Sequence, residues 1–117
     1  MTNSEKHAAL LELAAEYWRF VDAKDSRMME DVVRTKERVF ALFPGLDPGS
    51  IVRVSKNSFD GPPKGKRFLV RYLQANPLSN DRSLNPTAEL VPCKKNGEPY
   101  SNARSIRCSL FYLEPDA

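Results

Sequence analysis

Phe43-Pro44-Gly45-Leu46-Asp47-Pro48-Gly49 is the stretch that decides the fold. Before Pro44 the chain has neither glycine nor proline; residues 44–117 hold all five glycines and all nine prolines. Glycine costs backbone entropy in a helix, and proline removes a donor and clashes with the preceding turn. Residues 1–43 are therefore permissive for helix, and the remainder reads as short strands joined by turns. Within the stretch, Pro44-Gly45 ends the helical region, and Pro48-Gly49 suit the two central positions of a type II turn. The expected fold class is α+β, with a helical segment over 1–43 and a small antiparallel β domain over 44–117.

Upstream, a helical pattern begins near Ser4. One heptad seam runs Leu11, Ala14, Trp18, Val21, Asp25, Met28, Val32, Thr35, Val39, Leu42, spoiled only by Asp25 and Thr35. Two geometries fit. A single helix of roughly 40 residues, about 60 Å long, would need a partner helix for its seam, hence a homodimer. A helical hairpin would break at Asp22-Ala23-Lys24-Asp25-Ser26, with Asp25 or Ser26 capping a second helix from about Arg27 to Phe43. Trp18, Val21, Met28 and Val32 are the candidate interface residues of this segment, for core packing or oligomerisation.

Downstream lie four candidate strands: Ile51–Ser55, Arg67–Gln74, Ala88–Lys95 and Ser105–Leu113. The connections between them are long and rich in turn residues, and one contains the Asn96-Gly97 signal of a tight hairpin. Four or five strands in this length point to a small antiparallel barrel-like sheet, or to a strongly twisted one. The strand number matches SH3-like and OB-like barrels, a likeness of architecture that carries no activity.

Composition narrows the function classes. Hydrophobic residues are 41% and charged residues 28% of the 117, ordinary for a globular domain. The start of the chain lacks the basic and apolar regions of a secretory signal, and no apolar run is long enough to cross a bilayer, so no membrane association and a cytoplasmic location are expected. Cys93 and Cys108 are too few for a disulfide framework. A hairpin centred between Tyr100 and Ser101 would place them opposite each other, within bonding reach, but without a secretion signal two small buried thiols are the expected state. A register centred on Asn96-Gly97 would instead put Cys93 opposite Tyr100.

Catalytic motifs are weak. His7 is the sole histidine, so Cys/His zinc sites of the usual kind cannot form within one chain. Gly61-Pro62-Pro63-Lys64-Gly65-Lys66 has three residues between its glycines where a phosphate loop needs four, and Arg67 where it needs Ser or Thr. Glu89, Glu98 and Glu114 are scattered. No metal, cofactor or catalytic residue is expected, and the chain reads as non-enzymatic.

Charge is the positive signal. Residues 1–43 carry a net −1 and residues 44–117 a net +4. Alternation in the second strand puts Arg67, Leu69, Arg71 and Leu73 on one face and Phe68, Val70 and Tyr72 on the other. With the aromatic set inward, Arg67 and Arg71 face outward, as do Arg53 on the first strand and Arg107 on the last. Lys64 and Lys66 border a loop, and Lys94 and Lys95 lie at a strand end. Such a face can pair with phosphates, the sequence-independent part of nucleic-acid affinity, and Phe59 and Tyr100 on loops could stack on bases. A wet sheet face also carries such residues simply to stay soluble. The expected function is therefore a binding module for nucleic acid, or for a protein of a nucleic-acid-handling complex, with helices mediating self-association. The alternative is a small protein-binding regulator or inhibitor, of the kind phages and mobile elements carry, that blocks a host enzyme by contact.

Overall fold

The computed structural model describes residues 1–24, 29–55 and 66–116. The expected features at Asp25, Ser26, Met28, Phe59 and Lys64 lie outside these. The chain forms two compact units: Met1–Phe43 with Ala75–Asn85, and Pro44–Gln74 with Pro86–Ala117.

In the first unit, α1 spans Asn3–Ala23 and opens with a capping box. The Thr2 N–H donates to Glu5 Oε1 at 3.1 Å and the Glu5 N–H to the Thr2 hydroxyl at 3.2 Å, satisfying two orphan donors. The bond from the Thr2 backbone is the main reason the Glu5 carboxyl is held below its ordinary pKa. The helix stops at Lys24, which adopts the left-handed conformation (φ 52°) and donates its N–H to the Val21 carbonyl. A lysine thus fills the stopping position usually given to glycine. The second helix, α2, covers Met29–Ala41, with Glu30 and Asp31 in its first turn and Arg38 in its last, each complementing the helix dipole. The two helices pack on each other, so the single long helix is not formed.

Burial refines the seam. On α1 the buried positions are Leu10, Leu13, Ala14 and Tyr17, an i, i+3, i+4, i+7 stripe one residue earlier than the heptad reading, and Leu11 is 70% exposed. On α2 the buried set is Val32, Thr35 and Val39, as the seam spacing predicts. Thr35 does not spoil it: its hydroxyl donates to the Asp31 carbonyl at 2.8 Å, so no polar atom is left orphaned. Arg38 and Glu16 join the two helices at 3.0 Å. Residues 75–85 add a two-strand hairpin, β3 (Pro77–Leu78) with β4 (Ser83–Leu84), beside α1. There the Trp18 indole N–H donates to the Ser83 carbonyl at 3.5 Å. Arg82 lies 5.3 Å over the Trp18 ring and pairs with Asp22.

In the second unit, Pro48-Gly49 form the expected turn: the Ser50 N–H donates to the Asp47 carbonyl at 3.0 Å, and Gly49 has φ +91°. Five strands follow: β1 (Ile51–Val54), β2 (Arg67–Gln74), β5 (Thr87–Pro92), β6 (Ile106–Ser109) and β7 (Leu113–Pro115). Their order is β6-β5-β2-β1-β7, every pair antiparallel. Val52, Val54, Phe68, Val70, Ala88, Leu90, Cys108 and Leu110 are buried.

The expected barrel does not close. Four successive antiparallel pairings leave the edge strands β6 and β7 running in the same sense. A side-by-side parallel pair needs a crossover of about a dozen residues or more. Only the 3-10 turn Leu110–Tyr112 separates them, so the sheet stays open. This turn also breaks the expected strand Ser105–Leu113 in two. The Ser109 hydroxyl caps it, accepting from the Phe111 N–H at 3.3 Å.

Candidate functional site

Alternation along β1 buries Val52 and Val54 and turns Arg53 outward; on β2 it buries Phe68 and Val70 and turns Arg67 outward. The ladder sets Arg53 and Arg67 directly opposite each other. Two like charges in that position repel. The carboxylate of Asp116, just past β7, lies between them. Its Oδ2 accepts from Arg67 Nε at 2.6 Å, and its Oδ1 is 2.9 Å from Arg53 Nε. The Arg53 contact is an ion pair by distance only: its buried Nε–H is not aligned for a hydrogen bond. Asp116 is positioned by its own N–H, which donates to the Ile51 carbonyl at 3.0 Å. Glu114 stands across the β1–β7 ladder from Arg53.

Three lysines gather at the same end of the sheet. The Lys66 carbonyl accepts from the Val54 N–H, and the Cys93 N–H donates to the Arg67 carbonyl, both at 3.4 Å. Lys94 and Lys95 follow directly after Cys93. Lys66, Lys94 and Lys95 are exposed and enter no ion pair among the described residues.

Arg71 and Arg107 are not part of this cluster. A β-bulge between Val70 and Tyr72 makes Arg71 the extra residue of β2. It lies four residues from Arg67, about 13 Å along a strand. The bulge also shifts the alternation, so Tyr72, expected inward, is 45% exposed. Tyr72, Glu89 and Arg107 instead form a row across β2, β5 and β6, with Arg107 Nε 3.9 Å from Glu89 Oε2. Among the helix positions, Val32 is buried, Trp18 is half-buried beside the hairpin, and Val21 is exposed. Asp116 was missed by sequence reasoning because nothing local to Asp116 marks it; its partner Arg67 is 49 residues away.

The β5–β6 connection follows neither expected register. Lys94 and Gly97 close a tight turn, with Gly97 N–H to Lys94 carbonyl at 2.9 Å and Lys94 N–H to Glu98 carbonyl at 2.8 Å. Cys93 then bridges Pro99, whereas Cys108 faces Ala88. A second turn, with the Ala103 N–H donating to the Tyr100 carbonyl at 3.3 Å, absorbs the offset between the two pairings. Both cysteines are free and buried. Burial pushes the Cys108 thiol up to about 11, and also raises Cys93, where nearby Arg67 opposes the rise. Both thiols are expected to react slowly with a thiol-exchange reagent at pH 8 and rapidly once unfolded. Because the folded state holds Cys108 as the thiol, the stability it confers is complete below pH 9 and is lost as pH rises towards 11. Thiol counts and denaturant midpoints across pH 8–11 check both statements.

No group of three or more His, Cys, Asp or Glu capable of holding a metal occurs among the described residues, and no helix there is long and apolar enough to cross a membrane. Comparisons with protein-family models, curated proteins and solved structures return no match to this chain.

Proposed function

We propose that this chain is a non-enzymatic binding module whose β unit contacts the phosphate backbone of nucleic acid. The supporting observation is the cluster at one end of the sheet: exposed Lys66, Lys94 and Lys95 beside Arg53 and Arg67. The unit carrying them, residues 44–74 and 86–117, has a net charge of +4. Lysines on a sheet end suit phosphate contact without base selection, because their ammonium groups are compact point charges on flexible stems.

Reversing all three lysines (Lys66→Glu, Lys94→Glu, Lys95→Glu) is expected to weaken binding to a labelled oligonucleotide by at least about tenfold at ~50 mM salt. The dependence of log affinity on log salt should flatten by about 2. Fluorescence anisotropy over a salt series measures both. A wild-type protein without salt-dependent binding to any DNA or RNA removes the proposal.

Exposed Met29 and Val33, one turn apart on α2, favour a second reading in which the helical unit docks on another protein as a regulator. Native purification separates the two. A stoichiometric protein complex free of nucleic acid supports the second, and co-purifying nucleic acid supports the first.

A further inference from the structure

The geometry points to a phosphoryl-binding site formed by Arg53 and Arg67, which Asp116 keeps closed by occupying it. This deepens the nucleic-acid reading and rests on it for the source of the phosphate.

Two guanidinium groups held opposite each other on adjacent strands form a positively charged pair that requires an anion. The carboxylate filling that role does so incompletely. It gives Arg67 Nε a hydrogen bond at 2.6 Å, yet leaves the buried Arg53 Nε–H without one. A phosphoryl group presents three or more acceptor oxygens in a tetrahedral arrangement, and so offers Arg53 an acceptor direction that the Asp116 carboxylate, as placed, does not. Glu114 stands across the ladder from Arg53, so Asp116 and Glu114 together balance the two guanidiniums, and the positive field at this end of the sheet comes from Lys66 and Lys94. The arginine side chains remain 41% and 36% exposed, so a solute anion reaches them. Asp116 follows an edge strand of three residues, at the margin of the sheet. Asp116 is thus a built-in competitor that sets a threshold for phosphate binding.

Asp116→Asn tests this by removing the charge while keeping the shape. In one arm, inorganic phosphate is titrated against the wild type and the variant, and the rise in melting temperature is followed. The variant is expected to bind phosphate about tenfold tighter, and Arg53→Gln with Arg67→Gln should abolish the gain. In the other arm, a 20-nucleotide single strand is titrated over a salt series. Its affinity should rise, with a salt slope steeper by about 0.7 for each phosphate gained.

A cooperatively folded Asp116→Asn protein that binds phosphate no tighter than the wild type overturns the inference. Oligonucleotide binding by the wild type that is unchanged in Asp116→Asn removes this site and leaves the function proposed above. Tighter phosphate binding with no oligonucleotide binding in any variant does the reverse, and assigns the site to phosphorylated small molecules. Should Asp116→Asn fail to fold, the Nε–H resonances of Arg53 and Arg67 in the wild type decide. They should shift together and saturate as phosphate rises, and no shift overturns the site.

Discussion

Gly45→Ala is expected to destabilise the protein by about 3 kcal/mol and to lower its melting temperature by about 10 °C. Gly45 has φ +84°, a conformation that costs an L-residue about 1–2 kcal/mol. A Cβ there would also stand 2.6 Å from Pro115 Cγ and 3.3 Å from Pro115 Cβ. The neighbour is a proline ring, which cannot rotate out of the way as a flexible chain would. Relief requires moving β7 off β1, and with it the carboxylate of Asp116. Gly49→Ala isolates the backbone cost: φ there is +91°, but no atom lies within 4 Å of the added carbon. About 1 kcal/mol should be lost at that site. Thermal unfolding of the two variants side by side is the measurement. Equal losses would mean that Pro115 does not press on Gly45.

Leu90→Ala is expected to cost about 3 kcal/mol. Leu90 is fully buried on β5, facing Val70 of β2 on one side and Ile106 of β6 on the other. Flanked by paired strands on both sides, the site has little freedom to collapse around the missing atoms, so the cavity persists. Val33→Ala, at an apolar side chain 52% exposed on α2, should change stability by less than about 0.5 kcal/mol. Urea unfolding reads both. A loss below about 1 kcal/mol at Leu90 would show that the sheet repacks there.

Punctuation made the fold legible in outline. Pro44-Gly45 and Pro48-Gly49 act through backbone preferences that need no tertiary context and form where the local sequence places them, whereas the turn at Asn96-Gly97 is closed by Lys94 and Gly97, one residue before the expected centre. The first two strands are equally local, because β-branched and alternating residues announce them. What escaped was set by pairing. The bulge at Arg71 follows from how β2 meets β5, and it turned Tyr72 outward against a pattern that read without a break. The α1 stripe shifted by one residue because Leu10 and Leu11 are interchangeable in sequence, and only packing chooses between them. The barrel was expected from strand number and length, which carry no information on closure; the Ser109 cap that breaks Ser105–Leu113 involves one hydroxyl with no sequence signal beyond its identity. For the candidate site, the basic residue types were legible, but their grouping was not. Arg67 and Arg71 look equivalent on one strand, yet only Arg67 shares an anion with Arg53.

The hairpin at residues 77–84 belongs with helices completed by residue 41, and this has a consequence for biosynthesis. A ribosome finishes the helical pair well before it delivers Arg82 and Ser83, which cover Trp18. At about 5–20 residues per second, the roughly 40 intervening residues take about 2–8 s. Throughout that interval the nascent chain displays a bare tryptophan face while β1 and β2 are still being made. Apolar surface left open for seconds favours misassembly, and the arrival of the hairpin ends that interval.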